Sequence, residues 1–403
     1  MAGSTTGLNV FANLPPRVSA FYEKVSLIRR KNTLLAYELC QKKSLPENEG
    51  STVRFWRYAP QSLTTSALTE SLDGNFTPAD ADKLVEEEVL CTPAMWGKWW
   101  PFGKLAGLTS IDKGTANKVD VISQQAFESI DYYVQKKMAQ SLLRRRADGD
   151  NTYQAEGTLT TGSLTVPADT ARAEADNYWN GGFITIIDGP GYGQTRQITS
   201  FANSGGVFTL ASSFDTVKPT PTTASRYRVV VGTGINAAAK ITTEIARQII
   251  LDLKVNKAIK YENGFYVGIL DPFTEYDFLA DPLFQKVTAY QDKEMAITNE
   301  IGKWAGIRWA YSTRIYRETV AGVEGFDTGA VHVVSVLGKE AFGVVNIGGS
   351  KGKRNFDIKI KSPDQLGQPL DHYSTIGWQA FFETTELNPC FGVNVLCGAS
   401  AQL

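Results

Sequence analysis

The side chains of Ser51-Thr-Val-Arg-Phe-Trp-Arg-Tyr58 alternate with a period of two. Positions 53, 55 and 57 share one side and positions 54, 56 and 58 the other, which predicts a strand with two useful faces. A second strand is predicted over Lys83–Cys91, with Glu86-Glu87-Glu88 in its middle. Leu63–Pro78, rich in Thr, Ser, Asp and Gly, lies between them as a loop tip. Together they predict a long hairpin that projects from the body.

The residues before the hairpin predict an extended arm and a helix. Residues 1–16 are small and polar and end in Pro15-Pro16, whereas residues 17–40 place apolar side chains at steps of three and four. Arg29-Arg30-Lys31 interrupt this helical stretch as a basic cluster. Pro46 and Gly50 end it.

The residues after the hairpin predict a long helix. One apolar stripe recurs at steps of three or four: Val119, Ile122, Ala126, Ile130, Val134, Met138 and Leu142. About 30 residues at 1.5 Å each make a rod of roughly 45 Å, a length that suits a spine. Arg144-Arg145-Arg146 follow the stripe, where a helix C-terminus favours cations.

Residues 150–232 predict a small all-β domain inserted into an α/β host. This region is dense in Thr, Gly, Ser and Asn, and turn signals separate its strand-like runs. The runs are Leu164–Val166, Phe183–Ile187, Thr195–Ile198, Val207–Leu210 and Tyr227–Val231. Helical periodicity resumes directly afterwards, at Ile241, Ile245, Ile249 and Leu253.

The remainder of the chain alternates strands with helix starts. Strands are predicted over Phe265–Leu270, Ile307–Ile315, Val331–Val336, Phe356–Ile360, Trp378–Phe382 and Val393–Leu396. Asp271-Pro272 and Asp281-Pro282 each place proline where a helix can begin. The predicted fold class is therefore α+β with one β insertion.

Composition excludes several classes of protein. At 403 residues the chain predicts two or three domains, and 41 basic against 42 acidic residues give a net charge of -1. A dedicated nucleic-acid-binding protein normally shows a basic excess. No signal-peptide pattern starts the chain, and no apolar run is long enough to span a membrane. Four widely separated cysteines predict reduced, buried thiols made in a cytoplasm.

The candidate chemistry is weak, and no catalytic, cofactor or metal site is predicted. Gly189–Gly193 lacks a phosphate-loop lysine and is interpreted as a turn between strands, and Gly348–Arg354 as a mobile basic loop. Three consecutive glutamates on a strand point to alternate faces, which does not suit a shared metal. His332 is predicted to be a core histidine and His372 a surface one.

A cluster of aromatic residues, Trp96, Trp99, Trp100 and Phe102, follows the hairpin. It is consistent with a core, with a membrane-interface belt, with an anchor for a subunit contact or with a carbohydrate-stacking surface. These alternatives stay open on the sequence alone.

Several motifs, in a shared order, carry a resemblance to a known family. They are Ser51–Tyr58 with Leu68-Thr-Glu70, Gly264–Pro272 leading to Tyr276–Pro282, Asn299–Arg308, Gly338–Gly343, and Leu366-Gly-Gln368 with Ile376-Gly-Trp378. With the order arm, helix, hairpin, spine helix, insertion and α/β tail, the chain resembles the Hong Kong 97-type major capsid proteins of tailed bacteriophages, most narrowly a podovirus-type capsid family. The resemblance covers most of the chain outside the insertion, and no Lys–Asn cross-linking motif is matched.

The resemblance implies a domain layout and a way of working. The implied parts are the arm and first helix (1–50), the extended E-loop hairpin (51–103), the spine helix of the peripheral domain (104–149), the inserted β domain (150–232), the axial domain (233–330) and the return strands (331–403). Pentamers and hexamers of the chain would close an icosahedral head around double-stranded DNA, assembled in the host bacterial cytoplasm. Portal and scaffolding or decoration proteins are further implied partners.

Two residue sets follow as hypotheses. Arg54, Arg57 and Glu70 on the hairpin, with Trp96, Trp99 and Trp100, are expected to contact neighbouring subunits; Arg57→Glu should block shell closure and leave a soluble monomer. The basic clusters are expected to face DNA: Arg29, Arg30, Lys31, Lys351, Lys353 and Arg354.

Three other readings compete with a capsid. An encapsulin-like cellular nanocompartment shares the fold and would package an enzyme. A phage tail or adhesin component would use the β module to bind glycans. A metabolic enzyme is the remaining alternative, and the missing site argues against it.

Overall fold

The computed structural model describes residues 35–46, 50–58, 86–103, 115–149, 152–262, 264–283, 300–313, 315–319, 321–325, 330–347, 356–361 and 373–400. The extended arm, most of the helix predicted over 17–40, the hairpin tip and His372 lie outside these residues. Within these described residues, four α-helices run over Ala36–Leu39 (α1), Thr115–Ser141 (α2), Thr243–Val255 (α3) and Pro272–Leu279 (α4).

The strands, in chain order, are Gln41–Leu45 (β1), Val53–Tyr58 (β2), Glu86–Cys91 (β3), Ala94–Gly103 (β4), Leu143–Arg146 (β5), Gln154–Thr158 (β6), Phe183–Asp188 (β7), Thr195–Ala202 (β8), Val207–Leu210 (β9), Arg226–Val230 (β10), Tyr266–Leu270 (β11), Glu300–Trp304 (β12), Ile307–Tyr311 (β13), Arg317–Glu318 (β14), Val331–Leu337 (β15), Phe342–Ile347 (β16), Phe356–Lys361 (β17), Tyr373–Glu386 (β18) and Gly392–Cys397 (β19).

The long helix α2 packs on a five-stranded sheet. In that sheet β1, β16, β18 and β17 are neighbours in this order, and β4 also pairs with β18. The predicted apolar stripe is buried from Ile122 to Leu142, as a helical period of 3.6 requires, and Val119 is half-buried. Trp378 on β18 packs in the same core and donates a hydrogen bond from Nε1 to Gln125 Oε1 on the helix, at 2.8 Å. The predicted long helix is confirmed, and its role as a spine stays a prediction.

A seven-stranded sheet forms the second core. Its order is β12-β13-β11-β15-β19-β5, with β14 paired to β15. The central strands β15 and β19 are buried at every position, which explains their nearly continuous apolar sequence. Helix α3 buries Ile245, Ile249 and Leu253 against this sheet, so the predicted amphipathic helix is confirmed.

Helix α4 begins where the sequence predicts it. Pro272 occupies its first turn, and the Asp271 side chain accepts a hydrogen bond from the Phe273 backbone at 3.1 Å. Proline lacks a backbone N–H, and the first helical turn does not need one.

The insertion has a sheet and an apolar core of its own. Strands β6-β10-β7-β8-β9, all within residues 154–230, form a five-stranded sheet. Its core holds Trp179, Phe208, Tyr227 and other apolar side chains that all come from residues 153–231. The strand predicted over Leu164–Val166 is wrong, and Gln154–Thr158 forms a strand instead. The sequence of that strand shows no apolar alternation, so periodicity does not predict it. Its position is fixed by pairing with β10.

The three arginines after α2 were predicted to be helix C-terminal cations, and this is wrong. The helix ends at Ser141, and Leu143–Arg146 pairs in parallel with β19 at the edge of the second sheet. Each guanidinium there has a carboxylate partner: Arg144 Nη2 lies 2.6 Å from Glu318, Arg145 Nε lies 2.7 Å from Asp252, and Arg146 binds Asp148. Buried charges need such partners, so these arginines belong to the core and not to a solvated helix end.

Candidate assembly interface at the hairpin

The two strands of the hairpin pair antiparallel in a single register. Val53 lies opposite Cys91, Arg57 opposite Glu87, and Tyr58 opposite Glu86. Because side chains alternate along a strand, this register places two sets of residues on opposite faces. The predicted strand pair at the hairpin base is confirmed, and its tip lies outside the described residues.

One face of the hairpin packs against the body. Val53, Val89 and Cys91 are buried there, and Val53 and Cys91 cluster with Leu45 on β1 and Val345 on β16. Burial raises the pKa of the Cys91 thiol to about 12, which keeps it protonated at neutral pH. This face therefore anchors the hairpin within its own chain.

Arg57 is the charged anchor of that inward face. Its Nε donates to Glu87 Oε2 at 2.8 Å, and Glu87 is only 2% exposed. Its Nη1 donates to the Leu387 carbonyl at 3.0 Å and to the Asn388 side chain. Its Nη2 donates to the Tyr192 carbonyl at 3.3 Å, and the guanidinium lies 5.7 Å from the Tyr192 ring centre. One side chain thus connects the hairpin, the segment before β19 and the insertion.

Tyr192 reaches Arg57 from the glycine-rich stretch Gly189–Gly193. This stretch joins β7 to β8, so the predicted turn between strands is confirmed. Gly189, Gly191 and Gly193 have φ values of +82°, +82° and +76°, which residues other than glycine rarely adopt. This turn brings the Tyr192 carbonyl to Arg57 at the hairpin base.

The opposite face of the hairpin carries large apolar side chains in solvent. Trp56 is 65% exposed, Tyr58 54% and Leu90 44%, and the Trp56 and Tyr58 rings meet edge to face at 6.0 Å. Arg54 lies on the same face, 3.3 Å from Glu88, and both side chains are exposed. An exposed apolar group rimmed by charges is typical of an interaction surface.

The tryptophan cluster divides between two environments. Strand β4 alternates, so Trp96 and Trp100 share the face that packs in the first core. The Trp96 ring lies 4.3 Å from that of Tyr133 on α2. Trp99 points the other way and is 63% exposed. The odd and even numbering of these tryptophans is the signal in the sequence that separates the two environments, and a single aromatic cluster does not express it.

His332 is the buried core histidine that the sequence predicts. It is 2% exposed, and its Nδ1 lies 2.9 Å from Asp271 Oδ2, which also accepts from Arg317 Nε at 2.9 Å. Burial would raise the pKa of Asp271, but His332 and Arg317 together hold it below its usual value. Within the described ranges, no group of three His, Cys, Asp or Glu side chains is placed to hold a metal ion. No helix in this part of the chain is long and apolar enough to cross a bilayer.

The remaining predicted site residues lie outside the described residues. They are Glu70 at the hairpin tip and the basic residues Arg29, Arg30, Lys31, Lys351, Lys353 and Arg354. Their interface and DNA-facing roles stay predictions.

Comparison with solved structures identifies the fold. The chain superposes on a chain in the capsid structure of cyanophage P-SCSP1u with a TM-score of 0.54 and 11% identity, covering 99% of both chains. For the cyanophage Pam1 capsid asymmetric unit the TM-score is 0.53 at 11% identity, with 98% of each chain covered. A chain of Mycobacterium phage Che8 matches with a TM-score of 0.50 and 9% identity, over 96% of this chain and 97% of that one.

No family model matches the sequence, and a search of curated proteins finds no relative. At such low identity the structural likeness concerns the fold. It confirms the α+β class and the predicted Hong Kong 97-like fold, which this chain shares with these phage capsid chains.

Proposed function

We propose that this protein is the major capsid protein of a tailed bacteriophage, which self-assembles into the pentamers and hexamers of an icosahedral head around double-stranded DNA. The observation that carries the proposal is coverage: 99% of this chain matches 99% of a chain from a phage capsid structure. The axial and peripheral assignments of the individual segments belong to the same proposal.

The outward face of the hairpin supplies a physical reason for assembly. A tryptophan or tyrosine side chain presents about 150–250 Å² of surface, and Trp56 is 65% exposed. Burying that exposed part against a second copy would contribute about 3 kcal/mol at 25 cal/mol per Å². Repetition over many subunits turns such a contact into a stable shell, as aromatic residues dominate interface energies.

The contacts of Arg57 change one expectation about this interface. Arg57→Glu would place a carboxylate beside the buried Glu87 and would remove donors from Leu387 and Asn388. The hairpin base of the single chain would then be destabilised before any subunit contact forms. Arg54, which is exposed and lies beside Trp56, is therefore the better charged candidate for an intersubunit contact.

The inserted β module is proposed to lie on the outer surface and to reinforce the shell. Its turn contacts the hairpin base through Tyr192, and Gln197 Nε2 donates to the Gly322 carbonyl at 3.1 Å. Replacing residues 152–231 by a short linker should weaken the particles. Intact particles with altered adsorption to host cells would favour binding of a glycan or a decoration protein instead.

The same proposal implies DNA and other head proteins as partners of the assembled shell. Packaged DNA would meet the basic clusters around residues 29–31 and 351–354 through sequence-independent phosphate contacts. A portal protein, and a scaffolding or decoration protein, would complete the head. The protein would be assembled in the host cytoplasm and reside in the virion.

Negative-stain imaging and light scattering of the purified protein test the proposal. Closed spherical particles that take up DNA in a packaging reaction are expected. Spheres filled with another protein would indicate an encapsulin-like compartment, and fibres would indicate a tail or adhesin component. A compact monomer that forms no closed particle under any condition would refute the proposal.

A further inference from the structure

A cleft of about 200 Å³ lies where four parts of the molecule meet. The hairpin strand β3, helix α2, the sheet strands β16 and β18, and the segment of the insertion between β9 and β10 all contribute to its wall. The charged and polar lining residues that decide its chemistry are Glu88, Lys137, Asp215, Lys218, Thr384 and Glu386. Glu88 and Leu90 in this wall also belong to the outward face of the hairpin described above.

Two buried polar atoms in this wall lack a hydrogen-bond partner among the described residues. They are Lys218 Nζ and Thr384 Oγ1. Lys218 is only 2% exposed and Thr384 7% exposed, so solvent at the surface does not satisfy them. Leaving such donors unpaired costs free energy, and the cost is largest for a charged ammonium.

The carboxylates around the cleft already have arginine partners. Arg196 lies 3.7 Å from Glu386 and 3.8 Å from Asp215, and Arg54 lies 3.3 Å from Glu88. Lys137 lies over the Tyr133 ring, 5.5 Å from its centre. Burial lowers the pKa of the Lys218 ammonium and the nearby Arg57 adds to this effect, whereas Glu386, Asp215 and Glu87 together offset only part of it. Lys218 is thus the buried cation of the wall whose ammonium makes no hydrogen bond among the described residues, whereas Lys137 is exposed.

We propose that the cleft binds one carboxylate group, which accepts hydrogen bonds from Lys218 Nζ and Thr384 Oγ1. A single negative charge matches the single buried ammonium in this wall. A doubly charged phosphate would place its second charge near Glu88, Asp215 and Glu386, which disfavours it. The volume holds several water-sized groups, so a small carboxylic acid or the end of an acidic side chain fits.

Two sources can supply this carboxylate: a free small carboxylic acid, or an Asp or Glu side chain of a neighbouring copy. The site itself depends only on the single chain, whereas the neighbour as its source rests on the proposed function. In either case the bound group would connect the insertion to β18 and stabilise their junction. Failure of assembly and failure of the site are therefore separate results.

Thermal unfolding of the unassembled subunit tests the site. Sodium acetate should raise the melting temperature above that in sodium chloride at equal ionic strength, because a ligand of the folded state stabilises it. Lys218→Met should weaken the apparent acetate affinity by at least about tenfold, since a charge-assisted hydrogen bond is lost. Thr384→Val keeps the side-chain shape and should weaken it by a smaller factor. Lys254→Met, an exposed lysine on α3, is the matched control and should respond as the wild type does.

Carbodiimide coupling of assembled particles identifies the source, because it joins a lysine amine to a carboxylate in contact with it. Particles from mixed isotope-labelled and unlabelled subunits distinguish links between chains from links within one chain. A Lys218 link to an Asp or Glu of another copy assigns the neighbour, and acetate stabilisation without such a link assigns a free acid. The proposal is overturned if Lys218 couples only to Glu386 of its own chain. It is also overturned if phosphate stabilises as much as acetate, or if acetate adds nothing over chloride.

Discussion

Arg54 and Arg57 lie three positions apart on one strand, and their replacement by methionine should have very different effects. Arg57 is 18% exposed and its partner Glu87 2% exposed, whereas Arg54 is 69% exposed and Glu88 41%. Arg57→Met removes every donor from Glu87 Oε2, the Leu387 carbonyl and the Asn388 side chain described above. Arg54→Met removes a single ion pair in solvent.

The magnitudes follow from these environments. Removing one partner of a buried ion pair costs about 3–5 kcal/mol, and we take about 3 kcal/mol because Arg57 keeps some contact with solvent. An exposed pair contributes about 0.2–1 kcal/mol. At 1.36 kcal/mol per factor of ten, these values predict roughly hundredfold faster local opening for Arg57→Met and less than about sixfold for Arg54→Met.

Hydrogen exchange of the unassembled subunit, followed by mass spectrometry, measures this local opening in the peptides that cover β2 and β3. Adding Glu87→Gln to Arg57→Met should restore part of the protection, because the buried carboxylate is no longer left unpaired. Equal protection in the Arg54 and Arg57 variants would refute the reasoning. So would a double variant that opens faster than Arg57→Met alone.

Three further predictions concern other parts of the molecule. Trp56→Ser should leave the subunit folded and reduce particle yield in light scattering, whereas Trp96→Ala should destabilise the subunit by about 3–5 kcal/mol in urea unfolding. Burial raises the pKa of the Cys91 and Cys390 thiols to about 12 and about 11, so a thiol reagent at pH 8 should label them only after unfolding in urea. Arg145 and Arg228 outweigh burial and lower the pKa of Asp252, so its stabilising effect is complete above about pH 4 and is lost as the pH falls below that. Asp252→Asn should therefore lower the melting temperature at pH 6 and make it less sensitive to pH between 4 and 2.5.

Each of these predictions has an outcome that would contradict it. Unfolding of Trp56→Ser would mean that the outward face stabilises the single chain. Rapid labelling of Cys91 in the native subunit would mean that the hairpin base opens readily. A melting temperature of Asp252→Asn equal to that of the wild type at pH 6 would mean that the two arginines contribute nothing there.

Periodicity alone predicts the elements that bury one face. The stripe from Ile122 to Leu142 needs only a helical period of 3.6, and α3 with Ile245 and Ile249 follows the same rule. The base of the hairpin needs only a period of two. These signals are local, so neighbouring residues are sufficient to read them.

Pairing partners distant in sequence decide what periodicity misses. The run Leu143–Arg146 is apolar at one position and basic at three, and it becomes a strand because β19 offers a free parallel edge. Strand β6 has no apolar pattern and is held by β10, some 70 residues further along the chain. Strand β4 is similarly defined by β18, which splits the tryptophans between core and surface.

Local sequence is sufficient to predict a strand with two different faces within Ser51–Tyr58, a long helix after it, and a region over residues 150–232 whose composition differs from that of its surroundings. It does not determine which face of the strand is buried, because both faces mix aromatic side chains with arginine. The tertiary structure decides this: Glu87, the Leu387 carbonyl and the Tyr192 carbonyl converge on Arg57, so its charge is satisfied in the interior, while Arg54 remains in solvent beside Trp56. A buried guanidinium needs acceptors around it, and only the folded chain brings together acceptors that lie between 30 and 330 residues away.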